Sequence, residues 1–358
     1  MKRRTAIEIL GAGAASTLLA PAPALGPTVR APFRAWTWVH GNNVDAEAIW
    51  RAKFSRWRAA GITGVLVGGG NTAMIAQAAH AEDLIFHAWA WIMNRSGDAW
   101  VKANHPNWYN VNRNGDSSLA KPPYVGYYQW LCPSRPEVRE YLRSVVKEIA
   151  ETPNVDAVHL DYIRHPDVIL PIGLWPQYHL VQDHEMPEYD YCYCAVCRDK
   201  FKGQSGYDPL SLSDPSADLA WREFRWNSII EMVTTLSQVV RAHNCEISAA
   251  VFPTPTLARI QVRQAWEKWP LDAVFPMTYH KFHNQDIAWI GSAVREGLAV
   301  IPRSEPLYAG LYLPDLPPDA LVQAIEVVRS AGAAGFSMFD AGQLNDERLA
   351  AVRGVMSS

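Results

Sequence analysis

Short apolar runs alternate with longer stretches of helical spacing from residue 33 onward, and this alternation predicts the elements. The runs 33–40, 63–68, 84–92, 155–161, 246–252, 272–279, 306–313 and 335–340 read as strands. Between them, 45–60, 136–151, 218–243, 286–297, 318–331 and 345–355 read as helices. The second of these opens on Pro136, whose missing N–H has no helical partner to lose in the first turn. Eight strands separated by helices predict one α/β domain, a single (β/α)8 TIM barrel spanning 31–358. No linker divides it. Long insertions follow strand three (93–135) and strand four (162–217), and the second carries most of the cysteines.

Composition sharpens the picture in three places. With 358 residues, 49% apolar and 19% charged, the chain can bury a large core. Its net charge of −3, with no basic block beyond the N-terminus, argues against nucleic acid as a partner. The 15 tryptophans and 14 tyrosines gather near predicted strand ends, as in "AWTWVHGNN" and "HAWAWIMNR". Flat aromatic faces with amides nearby suit sugar rings, although tryptophan also fills large cores.

Residues 1–26 read as a signal peptide of the twin-arginine type. Arg3 and Arg4 precede a weakly apolar stretch and an Ala22-Pro23-Ala24 cleavage-type sequence. The expected location is periplasmic or secreted, in a bacterium. No later run approaches the roughly 18 apolar residues of a spanning helix, so no membrane insertion is expected once the signal is removed.

The five cysteines are Cys132, Cys192, Cys194, Cys197 and Cys245, three of them in C-x-C-x-x-C spacing. A disulfide, a metal site completed by a further ligand such as His184, and free thiols are all compatible with that spacing. No metal ligands are assigned at the active site and no cofactor is expected. "VGGGNTAM" (67–74) lacks a phosphate-loop fingerprint and reads as a tight turn, and no serine nucleophile elbow is present.

The stretch "VDAVHLDYIRHPD" (155–167) carries the candidate chemistry. A buried strand has no use for an unpartnered carboxylate. In a barrel, however, Asp161 falls at the C-terminal end of strand four, where active sites are built. His159, two residues earlier, shares its face. Asp340 ends strand eight on the same rim, and Tyr279 and His280 end strand six. His40, Asn42 and Asn43 follow strand one, while Trp91 and Asn94 follow strand three. Arg164 is placed either to neutralise Asp161 or to bind an acidic sugar. Asp315, Glu185, Glu188 and Asp190 are further acids within loop reach, whereas Glu305 precedes strand seven and belongs to the opposite face.

"NVDAVHLDYIRHPD", preceded by "WLCPSRPEVREYLRSVVKEIA", resembles a family of bacterial glycoside-hydrolase-like barrel proteins, often labelled family 10 glycosylhydrolase-like. "CYCAVCRDKF" (192–201) is similar to a segment found after strand four in related barrels. The resemblance implies a carbohydrate substrate. By analogy with amylase-type barrels, Asp161 takes the nucleophile position and His159 replaces an arginine. "PMTYH" (276–280) resembles the Met-x-Tyr of chitinase-type barrels through Met277 and Tyr279. At strand four, however, His159 stands for an Asp and Ile163 for the acid Glu of those enzymes, so the chitinase mechanism is not expected.

Glycoside hydrolysis uses two carboxyl groups, one protonated and one ionised. Asp161 supplies one; Asp340 is the candidate for the other, with His159 and Tyr279 assisting. His40, Asn42, Trp91, Asn94, Arg164 and His280 are expected to hold substrate. Two alternatives accompany this reading: a non-catalytic carbohydrate-binding barrel, and a metal-dependent hydrolase using the Cys/His-rich insertion.

Overall fold

The computed structural model describes residues 32–357, so the expected signal peptide lies outside the described residues. The eight strands are β1 (Arg34–His40), β2 (Gly64–Gly68), β3 (Ile85–Trp91), β4 (Ala157–Asp161), β5 (Glu246–Val251), β6 (Ala273–Pro276), β7 (Tyr308–Tyr312) and β8 (Gly335–Phe339). They form one parallel sheet in the order β6-β5-β4-β3-β2-β1-β8-β7. Between β6 and β7 the ring narrows to one parallel bridge, Val274 to Leu307, with Val274 N–H donating to Pro306 O at 3.0 Å. The expected TIM barrel is the observed one.

Its interior shows why so many tryptophans are present. Trp36 and Trp38 of β1, Trp89 of β3, Phe275 of β6 and Tyr308 of β7 pack with Leu66, Ala250 and Ala273 inside the ring. Large side chains are matched by small ones across the strands, as barrel layers require. Trp36 lies in register with Gly64, where a Cβ would come within 2.4 Å of the indole. The tryptophans of "AWTWVHGNN" therefore fill the barrel and are not a sugar platform. Trp50, Trp130, Trp221 and Trp266 are likewise fully buried.

Helices cover the outside. Pro136–Ala150 buries Val138, Leu142, Val146 and Ala150, one residue per turn, and packs on Leu219–Ala242. The "VGGGNTAM" turn is a turn, with Gly69 and Gly70 at positive φ, but it runs directly into an unexpected helix, Thr72–His80. Asn71 caps that helix by accepting from Met74 N–H. Two further helices, Ala195–Ser205 and Pro255–Val262, also lie between strands.

The insertions after β3 and β4 are stitched to each other. Asn112 and Tyr191 form an antiparallel bridge, and Tyr193 N–H donates to Val111 O at 2.7 Å. No helix among the described residues is long and apolar enough to cross a membrane.

Candidate active site at the mouth of the barrel

A cavity of about 460 Å³ opens at the C-terminal ends of the strands. Asp161, last in β4, lines it and is partly exposed. Trp89 Nε1–H donates to Asp161 Oδ2 at 2.9 Å, and Tyr162 N–H to Oδ1 at 2.7 Å. Both donors favour the ionised carboxylate, yet burial outweighs them and raises the Asp161 pKa above the ordinary carboxylate value. Arg164 acts in the same direction as the donors, but only at a distance.

Arg164 does not neutralise Asp161. Its guanidinium donates to Asp167 Oδ2 at 2.8 Å, and both residues are buried in the cavity wall. The cation also lies over the Trp130 ring, 4.7 Å from its centroid. Tyr124 O–H donates to Asp167 O at 2.8 Å and receives Gln182 Nε2–H at 2.9 Å, which ties this wall to both insertions. Asp161 is thus left without an ion-pair partner among the described residues.

The remaining expected residues divide sharply. Tyr279 lines the cavity, and burial together with the charges of Asp161 and Asp340 keeps its hydroxyl protonated. Trp91 lines it too, half-exposed, with Tyr162 at 4.7 Å and Tyr127 at 6.0 Å between ring centroids. His40 forms part of the rim, its ring 5.1 Å from that of Trp89. His40 Nε2 lies 3.7 Å from Asp340 Oδ2. Asp340 itself follows Phe339, caps a short turn by accepting from Gly342 N–H at 2.8 Å, and does not line the cavity.

Four expectations require correction. His159 shares the inward face with Asp161 but sits one layer lower, fully buried, with its Nδ1 2.8 Å from Ser248 Oγ. The same hydroxyl lies 3.0 Å from His87 Nδ1. Burial holds both imidazoles neutral, His87 down to about 3, and His159 sits in the barrel core below the cavity. Asn42 folds onto its own turn, accepting from Val44 and Asp45 N–H, and does not line the cavity. Asn94 is buried beside Trp130 and caps Ser96 N–H. His280 is buried outside the cavity, and His283 lines it instead, stacked on Trp289 at 5.1 Å.

Two of the loop acids are engaged elsewhere. Asp190 pairs with Arg225 and Glu185 with Arg263, three of them buried and Glu185 partly so. Sequence reasoning missed Trp89, Asp167 and the wall tyrosines Tyr127, Tyr128 and Tyr178. Trp89 carried a usable signal. In β3 it alternates with Trp91 on the inward face, in register with His159 and Asp161 respectively.

Away from the cavity, Cys132 Sγ lies 3.6 Å from Cys194 Sγ and 3.4 Å from Cys197 Sγ. With Cys192, the four sulfurs lie within 4.8 Å of one another. All five cysteines are free thiols in this structure. None of them lines the cavity. His184, the fourth ligand suggested by the sequence, is exposed and contacts Asp183.

The site is a carboxyl at the aromatic mouth of an eight-stranded parallel barrel, an architecture that by itself hosts many chemistries. Residues 39–169 match the family described as Glycosyl hydrolase-like 10. Among solved structures, the PgaB (BpsB) glycoside hydrolase domain from Bordetella bronchiseptica is similar, with TM-score 0.64 and 11% identity over 91% of this chain and 99% of that one. The catalytic domain of β-amylase from Paenibacillus polymyxa is similar with TM-score 0.60 and 9% identity, over 90% of this chain and 95% of that one. The GH36 α-galactosidase AgaA from Geobacillus stearothermophilus shares the barrel with TM-score 0.51 and 12% identity, over 90% of this chain and 41% of its own. No curated protein matches the chain by sequence.

Proposed function

We propose that the protein is an exported glycoside hydrolase and that Asp161 is its catalytic carboxyl. One observation carries the reading: a partly exposed carboxyl, without an ion pair among the described residues, stands among aromatic walls at the C-terminal end of β4, its pKa raised by burial. A carboxyl held towards its neutral form is suited to hand a proton to a departing glycosidic oxygen. This differs from the nucleophile role that amylase-type barrels suggested. Trp89 and the Tyr162 amide would steady the carboxylate left after transfer. Trp91, Tyr127 and Tyr162 offer faces for sugar rings, and Tyr279 offers a protonated hydroxyl.

Glycosidases also need a second carboxyl. Asp340 is the candidate, joined to the rim through His40. In this reading His40 and Asp340 together activate a water on the face of the sugar opposite Asp161.

The test is release of reducing ends from a panel of polysaccharides and oligosaccharides, lost in Asp161→Asn with the circular dichroism spectrum intact. Full hydrolysis by that variant would overturn the assignment. A second reading, a carbohydrate-binding barrel without catalysis, is favoured by one fact. The other carboxyl lining the cavity, Asp167, is committed to Arg164. Calorimetric sugar binding by a wild-type protein that cleaves nothing on the panel would select it.

The proposed export rests on Arg3 and Arg4 ahead of the Ala22-Pro23-Ala24 site. Replacing both arginines with lysine should leave the unprocessed precursor in the cytoplasm.

A further inference from the structure

We propose that Cys132, Cys192, Cys194 and Cys197 bind one zinc ion, and that this ion clamps together the two insertions that wall the cavity. The four residues come from separate places. Cys132 ends the insertion after β3, immediately ahead of the helix Pro136–Ala150. Cys192 lies in the second insertion beside the strand-like pairing of Asn112 with Tyr191. Cys194 is the N-cap of the helix Ala195–Ser205, and Cys197 sits in its first turn. Only folding brings Cys132 to the C-x-C-x-x-C group, which is why the sequence showed three ligands and not four.

The geometry distinguishes a metal from the other fates of these thiols. A disulfide holds its sulfurs about 2.05 Å apart. Here Cys132 Sγ has two sulfur neighbours, at 3.4 and 3.6 Å, and all four sulfurs converge within 4.8 Å. Four thiolates about 2.3 Å from a central zinc form a tetrahedron with edges of about 3.8 Å. Sulfurs paired off in two disulfides would separate two by two. A multinuclear iron–sulfur cluster spreads its thiolates over several metal atoms, and these four are too close together for that.

The surroundings fit a closed structural site. Three of the four cysteines are at most 1% exposed, and Cys194 is 5% exposed. Val111 N–H donates to Cys192 Sγ at 3.4 Å, an outer hydrogen bond of the kind that orients a thiolate ligand and offsets its charge. Tyr191, Tyr193, Phe201, Trp221 and Phe224 pack around the sulfurs in a small core of their own. This core is separate from the barrel's cores, so the metal would add to the backbone pairing that already joins the insertions.

The consequence reaches the cavity. Tyr127 and Tyr128 come from the first insertion, and Leu170, Leu174 and Tyr178 from the second. Tying the insertions together at Cys132 fixes the walls relative to each other, while the ion itself stays out of the reaction.

The experiment measures metal in the full chain, purified without added metal or chelator, by inductively coupled plasma mass spectrometry. One zinc per chain is expected, with the four thiols shielded from a thiol reagent until zinc is removed by a mercurial and a chelator. No zinc, together with thiols that are freely reactive or oxidised to disulfides, overturns the proposal. Iron at one atom per chain overturns the choice of metal. Cys132→Ser should lose zinc while Cys245→Ser keeps it; zinc retained by Cys132→Ser would sink the ligand assignment. Because Cys132→Ser can misfold, cobalt exchange into the wild type gives an independent reading. The sulfur-to-cobalt charge-transfer band should match four thiolates, and its absence counts against the site. Limited proteolysis after zinc removal should open cuts within 93–135 and 162–217. All these readouts are independent of glycosidase activity.

Discussion

Asp161 and His159 stand two residues apart on one face of β4, and the strand gives them opposite fates. At the mouth, Asp161 keeps an exposed edge, two hydrogen-bond donors and, among the described residues, no ion pair. One layer down, His159 is sealed under Trp38 and Phe275, with ring centroids at 4.8 and 5.0 Å. Its Nδ1 meets Ser248 and its Nε2 has no partner. Both residues are inward and polar, and desolvation drives both towards neutrality. The difference is access. A neutral carboxyl facing a cavity can exchange its proton with a substrate, whereas a neutral imidazole inside the ring can only support packing.

The largest effect expected from breaking this comparison is at Asp161. Asp161→Asn should lower turnover by about 10²–10⁴-fold, the range for loss of a positioned acid or base. The same change should not harm the fold. A carboxyl whose folded pKa is raised contributes its stability below the unfolded pKa, near 3.9, and loses it as pH rises. Asn carries no charge to desolvate, so the variant should gain melting temperature relative to wild type as pH rises from about 4 to neutrality. Thermal melts across that range check it, and a constant difference would contradict the desolvated carboxyl.

His159→Ala should show the reverse pattern. Removing a fully buried ring should cost about 2–4 kcal/mol in stability, read by denaturant unfolding. Activity per folded molecule should change far less than in Asp161→Asn. A selective collapse of turnover with stability unchanged would return His159 to the chemistry.

The sequence already contained the fold because its period is local. Each strand is a short apolar run and each helix a longer patterned one, and the eight observed strands fall within the expected runs. The helix Thr72–His80 escaped because alanines fill its buried face, a weak contrast beside "GGGN". The site was less legible, since strand ends can be read but not what lies beside them. Asp161 and Trp91 follow from register alone. Arg164 choosing Asp167 and Cys132 meeting Cys194 depend on how the insertions fold back, and His283 in place of His280 on the short turn of helix after β6. His159 was misplaced because alternation gives the face of a residue and says nothing of its depth in the barrel.

A smaller effect should appear in acid. His87 is held to about 3 by burial, and His159 is lowered in the same direction. A histidine with a lowered folded pKa gives its full stabilisation above the unfolded value of about 6.5 and loses it as pH falls towards the folded value. Melting temperature should therefore decline as pH drops below about 6.5. His159→Leu should flatten part of that decline, and an unchanged slope would mean the ring is not held neutral.

The smallest effect tests Asp161 through its neighbour. Trp89 Nε1–H stabilises the ionised carboxylate, so it opposes the upward push of burial. Trp89→Phe keeps a ring in the layer and removes the donor. The Asp161 pKa should then rise further. If Asp161 is the proton donor, activity falls as pH climbs through that pKa, so the alkaline limb of kcat/KM should move to higher pH in the variant. If Asp161 acts ionised, as a nucleophile would, the same rise should move the acid limb upward and leave the alkaline limb in place. One donor to one carboxyl, worth on the order of 1.5–3 kcal/mol when the partner is charged, is enough to separate the two roles.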